Sequence, residues 1–311
     1  MTYYDWHLST FANRKVEQFD PKRGITTAVG TAIALRCEYD SPEDLSDLLA
    51  LLVKDILASK LEALVIGAWK GLLEGGEDSE EVVKALVAVA DRLPSLKALF
   101  IGDILSEEYE ISWIEQSDIS PVLSAYPNLE WLQVRGGSGL KFSPIAHSNL
   151  KTLTIETGGL SSETIANICQ LQLPALSHLE LWLGSDNYGG NSSVKDLQPI
   201  LAGNLYPKLR YLGLRNAEYT DEIAEAVARS AMLDRLKILD LSMGTLGIKG
   251  VDYLCSCEAI KNLELLDVSE NYLSAEDIHK LEKLKIQVVA DDQKDDDYEY
   301  DEDERYCSVS E

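Results

Sequence analysis

Apolar residues recur in the form LxxLxL at eight places along the chain. The copies are Leu61-Leu64-Ile66, Leu96-Leu99-Ile101, Leu129-Leu132-Val134, Leu150-Leu153-Ile155, Leu176-Leu179-Leu181, Leu209-Leu212-Leu214, Leu236-Leu239-Leu241 and Leu263-Leu266-Val268, set 21 to 35 residues apart. Weaker copies flank them at Ile33-Ala34-Leu35 and at Leu284 to Val289, where Gln287 stands in the place of the second leucine. A period of two within each copy puts the leucines on one face of a strand and the residues between them on the other. Ten short strands are predicted. Most are followed by a loop and then by apolar spacing of helical period, as in residues 44–58, 79–92 and 221–232. Ser41, Ser162, Thr220 and Ser274 read as helix N-caps. Pro94, Pro127, Pro174 and Pro207 each stand two residues before the next first leucine, where they end a helix and turn the chain into a strand.

A unit of one strand and one helix, repeated every 21 to 35 residues, is a leucine-rich repeat. Strands stack at about 4.8 Å and helices at about 10 Å, so such units stack into a curve. The predicted fold is α/β: a leucine-rich-repeat solenoid, or horseshoe, with a parallel sheet on the concave side and helices on the convex side. Three segments follow: an N-terminal cap over residues 1–28, the solenoid over 29–290, and an acidic tail over 291–311. The cap carries Trp6, Leu8, Phe11, Val16, Phe19 and Ile25 but no repeat. The asparagine usual at the strand end of such repeats appears only at Asn271, with Gly137, Gly158, Gly184, Ala217 or Gly244 elsewhere. Irregular strand-end loops are expected from that departure.

The residues between the leucines compose the concave face. Early strands offer small or apolar residues there: Ala32, Ala34, Ala63, Val65, Gly67, Ala98, Phe100 and Gly102. The middle strands change character. They present Trp131, Gln133 and Arg135, then Thr152, Thr154 and Glu156, then His178, Glu180 and Trp182, then Tyr211, Gly213 and Arg215. Asp240 and Asp267 follow on the next two strands. Aromatic and arginine side chains in one patch have the composition of a protein-binding hot spot, although bulky neighbours on adjacent strands also pack against each other. The candidate partner-binding residues are Trp131, Gln133, Arg135, Glu156, His178, Glu180, Trp182, Tyr211, Arg215, Asp240 and Asp267. Asp240 and Asp267 should be cross-strand neighbours, awaiting a cation or a basic side chain, or relieved by Arg215. The segment 103–120 is long for a plain connection and is expected to lie on the rim or on the apolar early face, anchored by Trp113.

Charge narrows the partners. Acidic residues number 53 against 28 basic ones, a net charge of −25. Phosphate recognition needs a basic footprint, so neither nucleic acid nor an anionic membrane surface is an expected partner. Residues 291–306 alone contribute −8, leaving −17 for the remainder. Such a run reads as a solvated, disordered tail, with an electrostatic lure for a basic partner as the alternative. The five cysteines have no disulfide-framework or zinc spacing, and no stretch has the length and apolarity of a signal peptide or a membrane span. Cytoplasmic location is expected. The glycines of residues 136–139 lack the spacing of a phosphate loop, so no cofactor is expected.

Several longer motifs carry a resemblance: Ile111-Ser112-Trp113-Ile114 with Asp118-Ile119-Ser120-Pro121, Arg135-Gly136-Gly137, and Ile155-Glu156-Thr157-Gly158-Gly159-Leu160. Leu181-Trp182-Leu183-Gly184, Tyr188-Gly189-Gly190, Leu214-Arg215-Asn216-Ala217-Glu218, Leu239-Asp240-Leu241-Ser242 and Gly244-Thr245-Leu246 extend it over nearly the whole chain. Together they resemble a bacterial family of cytoplasmic leucine-rich-repeat proteins with no assigned activity. The resemblance implies fold and location and brings no functional residues. Two functional expectations stand beside each other. One is a non-catalytic scaffold that binds a protein or peptide on the concave face. The other is a small-ligand or metal-binding protein, or an enzyme, using Glu156, His178, Glu180, Asp240 and Asp267.

Overall fold

The structure, a computed structural model, describes residues 6–37, 43–295 and 305–310. The expected cap at Ser41 lies outside these residues. The chain folds as two compact units, one of residues 1–156 with 170–174, the other of residues 157–169 with 175–310. In both, strands follow one another in chain order and helices connect most of them, so the fold is an α/β leucine-rich-repeat solenoid.

The first unit holds β1 (Thr10–Phe11), β2 (Arg14–Gln18), β3 (Thr31–Leu35), β4 (Ala63–Ile66), β5 (Ala98–Ile101), β6 (Trp131–Arg135) and β7 (Thr152–Glu156). Its helices are α1 (Leu45–Leu52), α2 (Lys70–Gly75), α3 (Glu80–Ala88) and α4 (Ser120–Ala125). The second unit holds β8 (His178–Gly184), β9 (Tyr211–Ala217), β10 (Ile238–Asp240), β11 (Leu265–Asp267) and β12 (Gln287–Val289). Its helices are α5 (Ser162–Cys169), α6 (Val194–Leu201), α7 (Thr220–Ala228), α8 (Ile248–Ser256) and α9 (Ala275–Glu282).

Register reproduces the repeat. Leu64, Leu99, Leu132 and Leu153 pair in one row of parallel strands. Leu179, Leu212, Leu239 and Leu266 form the corresponding row of the second unit. All eight are fully buried. A one-residue slip would turn every such leucine outward, at roughly 1.5–3 kcal/mol each, so the repeat dictates the pairing.

The ten predicted strands are β3 to β12. Two more come from the cap, where β1 and β2 form an antiparallel hairpin and β2 pairs in parallel with β3. This hairpin also covers the face of the sheet. Phe11 packs into a buried cluster with Ala32, Ala34, Ala63, Val65, Ala98 and Phe100, with Leu8, Ala12 and Trp131 at its margin. The small early residues are thus the floor of a core. Segment 103–120, expected on the rim or on this face with Trp113 as anchor, does not cover the face. Ile111 and Ile114 are buried, Trp113 is 63% exposed, and the segment runs beside residues 138–141 through bridges Glu115 to Ser138 and Asp118 to Lys141.

The helices are shorter than their apolar periods: α1 ends at Leu52 and turns separate it from a short 3-10 helix at Ala58–Lys60, and α3 ends at Ala88 just before another at Ala90–Arg92. Ser274 caps α9 as expected, its Oγ accepting from the Asp277 amide at 3.2 Å within a capping box. At α5 the cap is Ser161 rather than Ser162, with its Oγ accepting from the Thr164 amide at 3.0 Å. Thr220 lies inside α7, its hydroxyl donating to the Ala217 carbonyl at 2.6 Å. Residues 305–310, the less polar end of the acidic tail, pack against the second unit, where Cys307 and Val309 are buried. Residues 296–304 of the expected tail lie outside the description.

Candidate binding faces

The eleven predicted residues fall into two groups, each within one unit. In the first unit Trp131, Gln133 and Arg135 of β6 lie beside Glu156 of β7. Gln133 Nε2 donates to Glu156 Oε1 at 2.6 Å and Arg135 Nε donates to Oε2 at 2.8 Å. Arg135 Nη1 also donates to the Ile104 carbonyl at 2.8 Å, and its guanidinium lies 5.4 Å from the centre of the Phe100 ring. Gln133, Arg135 and Glu156 are buried, so they serve one another. Trp131 meets Phe11 edge-on at 6.0 Å and helps line a hollow of about 550 Å³ with Phe11, Ala12, Asn13 and Gln133.

In the second unit the residues stand in two parallel rows. His178, Tyr211, Ile238 and Leu265 are in register across β8 to β11, and all four are half-buried. Two residues further along the strands, Glu180, Gly213, Asp240 and Asp267 form the second row. The His178 and Tyr211 rings stack at 3.7 Å with planes 7° apart. The Tyr211 hydroxyl donates to Asp240 Oδ2 at 2.7 Å and reaches Glu180 Oε2 at 3.3 Å. Gly213 makes this reach fit, because a Cβ there would stand 3.1 Å from both the Tyr211 ring and Glu180 Cγ.

Arg215 ties the rows together. Its Nη1 donates to Glu180 Oε1 at 2.8 Å, its Nε to Ser242 Oγ at 2.9 Å, and Asp240 Oδ2 lies 3.4 Å from that Nε. The guanidinium also sits 5.3 Å from the Trp182 ring centre, and Trp182 Nε1 donates to Glu180 Oε1 at 2.8 Å. Burial opposes ionisation of Glu180, but the His178 hydrogen bond, the Arg215 charge and the Trp182 hydrogen bond outweigh it. Its value falls to about 2. Burial also works against the Arg215 charge, yet Asp240 and Glu180 more than offset it and raise its pKa. Asp267 moves the other way: burial, with the charge of Asp240 on the neighbouring strand, raises its pKa from the ordinary value despite the hydrogen bond from the Ser269 amide.

Trp182, which alternation placed on the open face, is 3% exposed and does not project into solvent. Glu180 and Asp240 are likewise buried. The accessible part of the face is the His178–Tyr211 stack, Ile238, Leu265 and Asp267. Arg215 does relieve Asp240, as one expectation held, while Asp267 accepts from the Ser269 amide at 2.9 Å. A carboxylate clamped by arginine below the ordinary range is a poor general acid, and among the described residues no group of three or more His, Cys, Asp and Glu side chains is placed to hold a metal. No helix among the described residues is long and apolar enough to cross a membrane.

Three residues of consequence were not among the candidate site residues, although Phe11 was expected in the N-terminal cap. Phe11 carried no repeat signal. Asp103 is buried under Arg36, whose Nε donates to it at 3.0 Å, and under His7 at 3.4 Å. Asn216, also buried, lies one residue before Ala217, which holds the strand-end position usual for asparagine.

Comparison with known proteins places this architecture. No protein-family model and no curated protein matches the sequence. A Bacteroides fragilis protein of known crystal structure is 32% identical, over 84% of this chain and 74% of that one, with a TM-score of 0.79. An internalin from Listeria monocytogenes aligns at 19% identity over 83% of this chain and 66% of its own, with a TM-score of 0.41.

Proposed function

The chain belongs to the same family as the Bacteroides fragilis protein, and on this repeat scaffold we propose a non-catalytic role: binding a protein or peptide on the open strand face of the second unit. The observation that carries the reading is the pairing of a half-buried apolar row, His178, Tyr211, Ile238 and Leu265, with an acidic row ending in Asp267. Arg215, Trp182, Glu180 and Asp240 hold that surface rigid before anything binds, which lowers the ordering cost of association. An extended segment with an aromatic or aliphatic side chain for the first row and a lysine or arginine for Asp267 fits both. Trp131 and the hollow beside it offer the first unit a smaller contact of the same kind.

Nucleic acid does not fit a face of this charge. The small-ligand or enzymatic alternative is less well supported, since Glu180 and Asp240 are already engaged by Arg215 and Tyr211. Five cysteines, all as free thiols, suit work in the reducing cytoplasm.

Selection from a displayed random-peptide library against the purified chain tests this. Enriched peptides should pair an aromatic or aliphatic residue with a basic one. Tyr211→Ala and Asp267→Asn should each weaken them at least about tenfold. Peptides whose affinity ignores both substitutions would refute the site.

A further inference from the structure

Residues 305–310 lie along the exits of the second unit's strands in the manner of a bound peptide. Their main chain is read at several points. Asn216 clamps Val309 from both sides, its Nδ2 donating to the Val309 carbonyl at 2.5 Å while its Oδ1 accepts from the Val309 amide at 2.9 Å. The Ser308 amide donates to the Met243 carbonyl at 2.8 Å, and Lys294 Nζ donates to the Tyr306 carbonyl at 2.8 Å and to the Gly244 carbonyl at 3.0 Å. The Tyr272 hydroxyl accepts from the Tyr306 amide at 3.1 Å.

Side chains are read at alternate positions. Cys307 and Val309 are 3% and 1% exposed, whereas Tyr306, one residue before Cys307, is 67% exposed and meets Tyr272 edge-on at 6.3 Å, and Ser308 between the two is only half-buried. Gly158 completes the trough, since a Cβ there would collide with the Ser310 carbonyl. Burial of Cys307 drives its thiol up to about 12, and burial of Lys294 beside it brings that amine down to about 8. Main-chain hydrogen bonds with pockets for alternate side chains are the hallmarks of extended-peptide recognition.

We propose that the trough lined by Gly158, Asn216, Met243, Tyr272 and Lys294 is a peptide-recognition site, filled here by the chain's own residues 305–310 and open to exchange with a peptide of the same form supplied in trans. The ligand class is an extended segment with two small or β-branched apolar side chains two residues apart. This site shares no residue with the open-face reading and stands or falls separately from it. Because the occupant is tethered, it competes at an effective concentration on the order of millimolar, so a free rival must reach that range.

The test uses the full chain and a synthetic peptide of residues 305–311 carrying Cys307→Ala. Alkylation of Cys307 is followed by mass spectrometry of the C-terminal fragment. Alkylation should be slow in the chain alone and at least about tenfold faster with millimolar peptide, while the same peptide with Val309→Asp leaves the rate unchanged. An unmoved rate, or equal acceleration by both peptides, would overturn the proposal. In a second arm, Gly158→Ala should speed alkylation without peptide and let the chain bind labelled peptide saturably. A folded Gly158→Ala chain that protects Cys307 as well as the parent also overturns it. If that variant does not fold, the first arm decides.

Discussion

Glu180 shows what alternation along a strand conveys about a residue and what it omits. The pattern placed Glu180 on the open side of β8 correctly, yet the side chain is buried there by Trp182, Tyr211 and Arg215, two of which arrive from β9. Direction is a local property of the chain; depth depends on neighbours about thirty positions away. The same limit explains why Trp182 reads as exposed and is not. A pH prediction follows at this scale. The folded-state value of Glu180, about 2, lies below its ordinary 4.5, so its stabilisation is complete above about pH 4.5 and is lost as pH falls toward 2. Glu180→Gln should remove that part of the acid dependence in urea titrations and cost about 3 kcal/mol near neutrality, because Arg215 loses a buried partner. An acid limb as steep as the parent's would show that other carboxylates carry it.

Among the elements, the strands were the most legible. Eight strong and two weak copies of one motif place ten strands, and for the eight the pairing needs only that leucine match leucine; in the last copy Val288, not Gln287, stands opposite Leu266, one residue off the expected register. Helix ends were less so, because a serine one position earlier caps α5 equally well and only the loop geometry chooses between them. The cover of the early strands was legible as a need and not as an identity. Ala32, Ala63 and Ala98 leave room for a large side chain above them, but nothing local says that Phe11 and not Trp113 fills it. Phe11→Ala should destabilise the chain by about 3–5 kcal/mol, the usual cost of emptying such a site. Solvent reaching Trp131 should also shift tryptophan emission to longer wavelength. An unchanged spectrum with unchanged stability would place the hairpin elsewhere in solution.

At the scale of the molecule, composition spoke against some partners more than it named one. The net charge of −25 argues against polyanions, and its self-repulsion leaves a measurable trace in the folded state. Raising sodium chloride from about 20 mM to about 0.5 M should lift the melting temperature by a few degrees as the Debye length shrinks. A fall would mean that salt bridges such as Arg14 with Glu62 outweigh the repulsion. The organisation of the first unit also bears on the making of the protein. The Leu8 amide reaches Asp103, 95 positions on, and Phe11 packs on Phe100. During synthesis these apolar residues emerge well before the strands that shelter them, an interval on the order of 5 to 20 seconds at ordinary elongation rates. Through that interval the nascent chain exposes a hydrophobic segment with no partner yet made, a natural target for a chaperone at the ribosome.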